Sequence, residues 1–221
     1  MKIYCISLPS RRGYCEKFFH ILNPHAEVEY IEPCIATNIA NYPRVKFSSQ
    51  YRILQHPKTT KYNFVEPTYR AKKTKLACSI SHRNALNDLL DSEEDACIIM
   101  EDDNQFPTQA QIHNFLYWFH WLQDNTDAYN IVILSPCMSK RGGVTPLHPN
   151  LYKASGYCMN CYCVTRQGAL ELLNQTLTAK HHTLDMFLPL VNNAYEIHPR
   201  VFVQNSELST LANPPSPQEF W

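Results

Sequence analysis

Three carboxylates in a row, Glu101-Asp102-Asp103, follow directly on the apolar run Ala96-Cys97-Ile98-Ile99-Met100. Five apolar residues in succession read as a strand buried on both faces, not as a half-exposed one. Adjacent carboxylates repel, and holding them at a partly buried strand end costs free energy unless a cation compensates. Oxygen ligands of this kind suit Mg2+ or Mn2+, which bind through one or two carboxylates together with substrate phosphates. A divalent ion held there can bridge a diphosphate and stabilise it as a leaving group. On these residues alone a metal-dependent nuclease or phosphatase fits as well, and so does a solvated acidic turn with no ligand. A second metal pattern, Cys158-x-x-Cys161-x-Cys163, invites zinc. Structural zinc needs four ligands, and the nearby His181 and His182 are adjacent and badly spaced for joint ligation. Buried cysteines on a strand are the better reading of that segment.

The elements that must position these groups follow from periodicity. Lys2 to Leu8 reads as a first strand ended by Pro9, with Ser10 as the cap of a helix bearing Phe18, Phe19, Ile21 and Leu22. Glu27 to Ile31 reads as a second strand. The segment 33–70 holds Pro33, Pro43, Pro57 and Pro67 with weak periodicity, and is expected to be an irregular excursion. From Lys75, the residues Ile80, Leu86, Leu89 and Leu90 fit a helical face. Thr108 and Gln111 form a capping-box pair ahead of a helix with Ile112, Phe115, Leu116, Phe119 and Leu122 on one stripe. Trp118 and Trp121 lie beside that stripe, as packing or interface residues or as a sugar-stacking surface. Asn130 to Leu134 is a further apolar strand, Ser139 to Asn150 a loop, and Tyr157 to Val164 extended. Thr165 caps a helix from Gln167 to Leu177, and Val201 to Gln204 is expected to be a late strand. Strands alternating with helices predict an α/β layered domain with a largely parallel sheet, whose ligands sit at the carboxyl ends of the strands.

The chain has 221 residues, with 20 basic and 20 acidic side chains and a formal net charge of zero. That gives no sign of a broad basic surface for nucleic acid. Only 5 glycines are present, and neither G-x-G-x-x-G nor G-x-x-x-x-G-K-[ST] occurs. No run approaches the length needed to cross a membrane, and the N-terminus, broken by Pro9, Arg11 and Arg12, does not read as a signal peptide. The 9 cysteines are spread along the chain, several within apolar runs, which suits a reducing compartment. The expectation is a cytoplasmic, single-domain protein over 1–212 with a proline-rich tail at 213–221.

Several segments, in order, resemble glycosyltransferase family 25. Ala77-Cys78-Ser79-Ile80-Ser81-His82 is similar to its G-C-x-x-S-H segment, with Ala77 in place of the usual glycine. The apolar strand leading into Glu101-Asp102-Asp103 matches its E-D-D triplet. Tyr162-Cys163-Val164-Thr165-Arg166-Gln167-Gly168-Ala169 matches Y-x-[IV]-[ST]-R-x-G-A. Thr183-Leu184-Asp185-Met186-Phe187 corresponds to P-[VI]-D-x-[FM], and Pro199-Arg200-Val201-Phe202-Val203-Gln204 with Ser209-Thr210 to the family's ending. Ile6-Ser7-Leu8 through Arg12 resembles its opening.

The resemblance implies a GT-A-like nucleotide-diphosphosugar transferase fold. It implies a UDP-sugar, most often UDP-galactose, as donor, Mn2+ or Mg2+ as cofactor, and a glycan, glycolipid or glycoprotein hydroxyl as acceptor. By position, Asp103 is the metal ligand and Glu101 and Asp102 are donor contacts. Ser7 and Leu8 end the first strand, where that fold lays the nucleotide base against backbone. A transfer with inversion needs a base for the acceptor hydroxyl; Asp185 is the candidate, with a metal ligand or a helix N-cap as its other readings. His82 and Ser79 are candidate donor contacts, or else a histidine satisfied by its neighbours and a helix-start serine. Arg12 presents a fork of donors for a phosphate, or is a solvated arginine on the first helix. A catalytically degenerate family member that binds sugar or protein is the alternative.

Overall fold

The computed structural model describes residues 1–34, 70–105, 108–136, 142–155, 159–177 and 184–205, with backbone alone at 70–76, 175–177, 185, 186 and 189. In chain order the elements are β1 (Lys2–Ile6), α1 (Arg12–Leu22), β2 (Val28–Ile31), α2 (Arg70–Asp91), β3 (Ala96–Glu101), α3 (Gln109–Asp124), β4 (Ile131–Ile133), β5 (Val144–Thr145), β6 (His148–Lys153), β7 (Cys161–Thr165), α4 (Arg166–Leu177) and β8 (Ala194–Ile197). A 3-10 segment, Leu184–Leu190, precedes β8. Most of the expected irregular excursion at 33–70 and all of the tail at 213–221 lie outside the described residues.

The strands form one sheet in the order β2-β1-β3-β7-β4-β8-β6-β5. Alternation along each strand sends side chains to opposite faces. Ile3 and Cys5, Ile98 and Met100, Val132, and Cys161 and Cys163 pack with Phe18 and Phe19 of α1 and Phe115, Trp118 and Leu122 of α3. Tyr4 and Ile6, Cys97 and Ile99, Ile131 and Ile133, and Tyr162 and Val164 pack with Leu86 and Leu89 of α2 and Leu172 of α4. Two helical layers thus cover a sheet that is apolar on both sides. β3 is buried along all five of its apolar residues, as its sequence requires.

The sheet is mixed, not largely parallel. β1 pairs parallel with β2 and β3, and β4 with β8, but β7 runs antiparallel between β3 and β4, and β6 antiparallel between β8 and β5. Parallel neighbours need a crossover element between them. No helix separates β4 through β7 among the described residues, so reversed strands enter there. The expected loop at Ser139 to Asn150 contains β5 and the start of β6. The expected late strand at Val201 to Gln204 is not one. It crosses the strand ends, with Val201 N–H donating to Leu134 O at 2.8 Å and Gln105 N–H to Val203 O at 2.7 Å. The late strand is β8, whose Glu196 is fully buried and so conceals the strand pattern.

Local signals hold at several ends. The Thr108–Gln111 capping box forms, with both reciprocal hydrogen bonds present. Thr165 caps α4 by accepting the Gly168 N–H at 3.1 Å. Ser10 does not cap α1: a 3-10 turn, Pro9–Arg11, intervenes, and Arg11 is the N-cap with no side-chain bond. Arg166 at the head of α4 donates to the carbonyls of Leu89, Leu90, Ser92 and Glu94, where α2 ends. Gly168 sits where any Cβ would strike the Asn130 carbonyl. The T-R-x-G segment is therefore the joint between α4, α2 and β4. Among the described residues no helix is long and apolar enough to cross a membrane.

Candidate functional site

β1 is followed in sequence by β2 on one side and by β3 on the other. The intervening helix α1 covers one face of the sheet, and α2 covers the opposite face. The strand order thus reverses between β1 and β3, and ligands of α/β sheets bind at such a point, beyond the carboxyl ends of the strands. The β1–β3 register pairs Ile6 with Glu101, so both strands finish together. This places Ser7 and Leu8 beside the triplet. The Leu8 N–H donates to Asp102 Oδ2 at 3.1 Å, and the Asp102 N–H to Ile6 O at 3.2 Å. Ser7 is buried, and its hydroxyl donates to Leu8 O at 3.1 Å.

The three carboxylates have separate partners. Asp102 Oδ1 is ion-paired with Arg11 Nη1 at 3.2 Å. Burial raises the Asp102 carboxyl above the usual range, partly offset by the Arg11 charge. Glu101 Oε1 lies 2.9 Å from His82 Nε2 and accepts from the Cys78 thiol at 3.1 Å. Burial pushes this carboxyl up, but the hydrogen bonds from His82 and Cys78 and the imidazole's electrostatic pull outweigh it and lower it overall. Asp103 is 5% exposed, and its Oδ2 accepts from Gln204 Nε2 at 2.8 Å. Its Oδ1 is buried with no hydrogen-bond partner among the described residues. Burial, and next the Glu101 charge, raise its carboxyl to about 7. A buried anionic oxygen without a donor is costly. A proton, at the raised pKa, or a hard cation such as Mg2+ or Mn2+ would each remove that cost, and Asp103 would offer such a cation one oxygen.

The arginine that reaches the triplet is Arg11; its neighbour Arg12 lies over the Tyr30 ring, 4.9 Å from the centroid. His82 is fully buried, held between Glu101 and the Tyr162 hydroxyl, which is 3.3 Å from Nδ1. Ser79 faces the 3-10 segment and accepts the Leu184 N–H at 3.2 Å. It ties the residue before Asp185 to α2, one position from Cys78. The Asp185 side chain itself lies outside the described residues. Ser81 is structural, bridging the Cys34 N–H and the Ala77 carbonyl. Cys161 and Cys163 are fully buried on the face packed against α1 and α3, while Cys158 lies outside the described residues. Trp118 is buried and Trp121 packs against the same core.

Sequence reasoning missed Arg11, Gln204 and the pair Asn104–Asn160. Asn104 Nδ2 donates to the carbonyls of Glu101 and Asn160, and Asn160 Nδ2 returns a bond to Asn104 Oδ1 at 2.9 Å. This exchange fixes the turn that aims the triplet. Gln204 stood in the terminal P-x-x-x-x-Q segment, a signal of position that carried no role. A small cavity of about 20 Å³, with room for roughly one water, lies at this strand end between Tyr14, Cys15, Phe18, Glu101, Asp102 and Asn104.

No curated protein matches the chain at a significant level. A family model described as glycosyltransferase family 25 (LPS biosynthesis protein) matches residues 1–188, a span that includes β1, the triplet and Leu184 to Leu188 of the 3-10 segment. On that match, the chain belongs to glycosyltransferase family 25 and is a glycosyltransferase.

Proposed function

We propose that this protein moves a hexose, galactose first among the candidates, from a UDP-sugar to an acceptor hydroxyl with inversion, within a GT-A-like arrangement that uses Mn2+ or Mg2+. The observation that carries this reading is the buried Asp103 Oδ1, without a hydrogen-bond partner among the described residues, at the point where the strand order reverses. Asp103 holds the cation, which when bound neutralises the diphosphate and stabilises it as a leaving group. Leu8, partly exposed at the end of β1, lies against the nucleotide base, and buried Ser7, bonded to Ile31 and Leu8, keeps that strand end in place. Asp102, braced by Arg11 and the Leu8 N–H, is a fixed acceptor for ribose or sugar hydroxyls. Glu101, steadied by His82, is a second.

Asp185 takes the proton of the acceptor hydroxyl. The acceptor oxygen then forms its bond to the anomeric carbon as the bond to the diphosphate oxygen breaks, and UDP departs with that electron pair. A carboxylate in this role contributes about 10²–10⁴-fold to rate. The family's description favours a lipopolysaccharide sugar as acceptor; the resemblance also admits hydroxylysine of a collagen-like protein.

The test is UDP release from a panel of UDP-sugars with lipooligosaccharide acceptor and Mn2+, for the natural protein and for Asp185→Asn. The expected result is release by the natural protein, and at least a ~100-fold fall in kcat for the variant with donor affinity kept. Binding of UDP-sugar without any release would favour a degenerate, sugar-binding member. Hydrolysis of simple phosphate esters would favour a phosphoesterase.

A further inference from the structure

Cys78 and His82 are four residues apart on α2, so their side chains leave the same face of the helix. That face meets the last residue of β3. Cys78 Sγ, His82 Nε2 and a Glu101 carboxylate oxygen lie within 4.8 Å of one another. Sγ and Nε2 are 3.1 Å and 2.9 Å from the same oxygen, Oε1. Among the described residues no other group of three His, Cys, Asp or Glu side chains converges in this way. The donor set is sulfur, nitrogen and oxygen. Thiolate and imidazole select borderline-soft cations such as Zn2+, whereas Mg2+ and Mn2+ prefer the oxygen-only surroundings of Asp103.

We propose that Cys78, His82 and Glu101 bind a thiophilic divalent cation of the Zn2+ class, with water completing its coordination. Zinc lies about 2.0–2.3 Å from such ligands, so the three donor atoms already stand near the separation that a shared ion requires. The outer contact of the histidine is also in place. His82 Nδ1 faces the Tyr162 hydroxyl at 3.3 Å, a partner that holds the ring with Nε2 turned to the ion. His82 is fully buried, while Cys78 and Glu101 are partly exposed, which leaves an approach from solvent. On binding, the thiol proton leaves to water, and the imidazole keeps its proton on Nδ1. The site stands apart from Cys161 and Cys163, which face the other side of the sheet; it shares Glu101 with the donor contacts proposed above, and its occupation is read without the transfer reaction.

Cobalt is the probe. Titration of Co2+ into the reduced, metal-free full chain is expected to give a thiolate-to-cobalt charge-transfer band, displaced by Zn2+ and not by Mg2+. Cys78→Ser should abolish the band, and Tyr162→Phe should weaken Co2+ binding about 10–100-fold. Asp103→Asn should leave the band intact. The proposal is overturned by absence of the band in the natural protein, or by a band of full intensity in Cys78→Ser, which would put the ion on other thiolates. Should Cys78→Ser fail to fold, alkylation of the natural protein decides. Zn2+ is expected to slow modification of Cys78, mapped by mass spectrometry, and an unchanged rate contradicts the site.

Discussion

Asp103 combines a buried oxygen that has no donor among the described residues with a carboxyl raised to about 7. In the unfolded chain an aspartate titrates at about 3.9. Between these values the native protein keeps a proton that the unfolded chain has released. The contribution of this group to stability is therefore fully present below about pH 4 and is lost as pH rises towards 7. Metal-free Asp103→Asn is expected to match the natural protein at pH 4 and to exceed it at pH 8 by about 1–3 kcal/mol, read as a Tm several degrees higher. Thermal unfolding in EDTA across that range checks this; a natural protein that gains on the variant as pH rises would contradict it. Mn2+ at pH 8 should stabilise the natural protein and not the variant. At this scale the triplet was legible because charge following an apolar run shows in one dimension. Arg11 was not, since choosing between two adjacent arginines depends on where the helix begins. A 3-10 turn places Arg11 before α1 and sends Arg12 towards Tyr30.

The elements are held at their joints by a few residues. Arg166 ends α2 by donating to four carbonyls, and α2 carries Cys78, Ser79 and His82. Replacing Arg166 with alanine strands those carbonyls. The expected cost is about 2–4 kcal/mol by chemical denaturation, with Arg166→Lys recovering part of it; no measurable loss would remove the joint. Such effects reach the site through α2, because His82 steadies Glu101 and Ser79 holds the backbone before Asp185. The helices were readable from apolar stripes and from the Thr108–Gln111 and Thr165 caps, which are local features. β8 was hidden because a strand pattern is sought in apolar residues, and its Glu196 is buried with Ser155 and His198 as partners. Val201 and Val203 looked like a strand for the converse reason. They are apolar, but they cross the strand ends and pair singly with Leu134 and Gln105.

Over the whole molecule, two apolar layers enclose a mixed sheet, and the functional groups gather at one edge of that core. The α/β class was legible from alternation. The reversed β7 was not, because strand direction depends on whether a crossover helix intervenes, and periodicity does not report direction. The packing makes a prediction about accessibility. Cys5, Cys15, Cys34, Cys97, Cys161 and Cys163 are buried, and Cys78 alone among the described cysteines is partly exposed. Brief alkylation of the native protein, mapped by mass spectrometry, is expected to label Cys78 well ahead of these six; equal labelling would contradict the packing. The account as a whole rests on the cation and the diphosphate meeting where β1 and β3 part. Calorimetric titration of UDP-galactose, with Mn2+ and with EDTA, into the natural protein and Asp103→Ala tests this most directly. Binding that requires Mn2+ and weakens at least about tenfold in the variant is the predicted result. Binding that ignores both the metal and the substitution would contradict it.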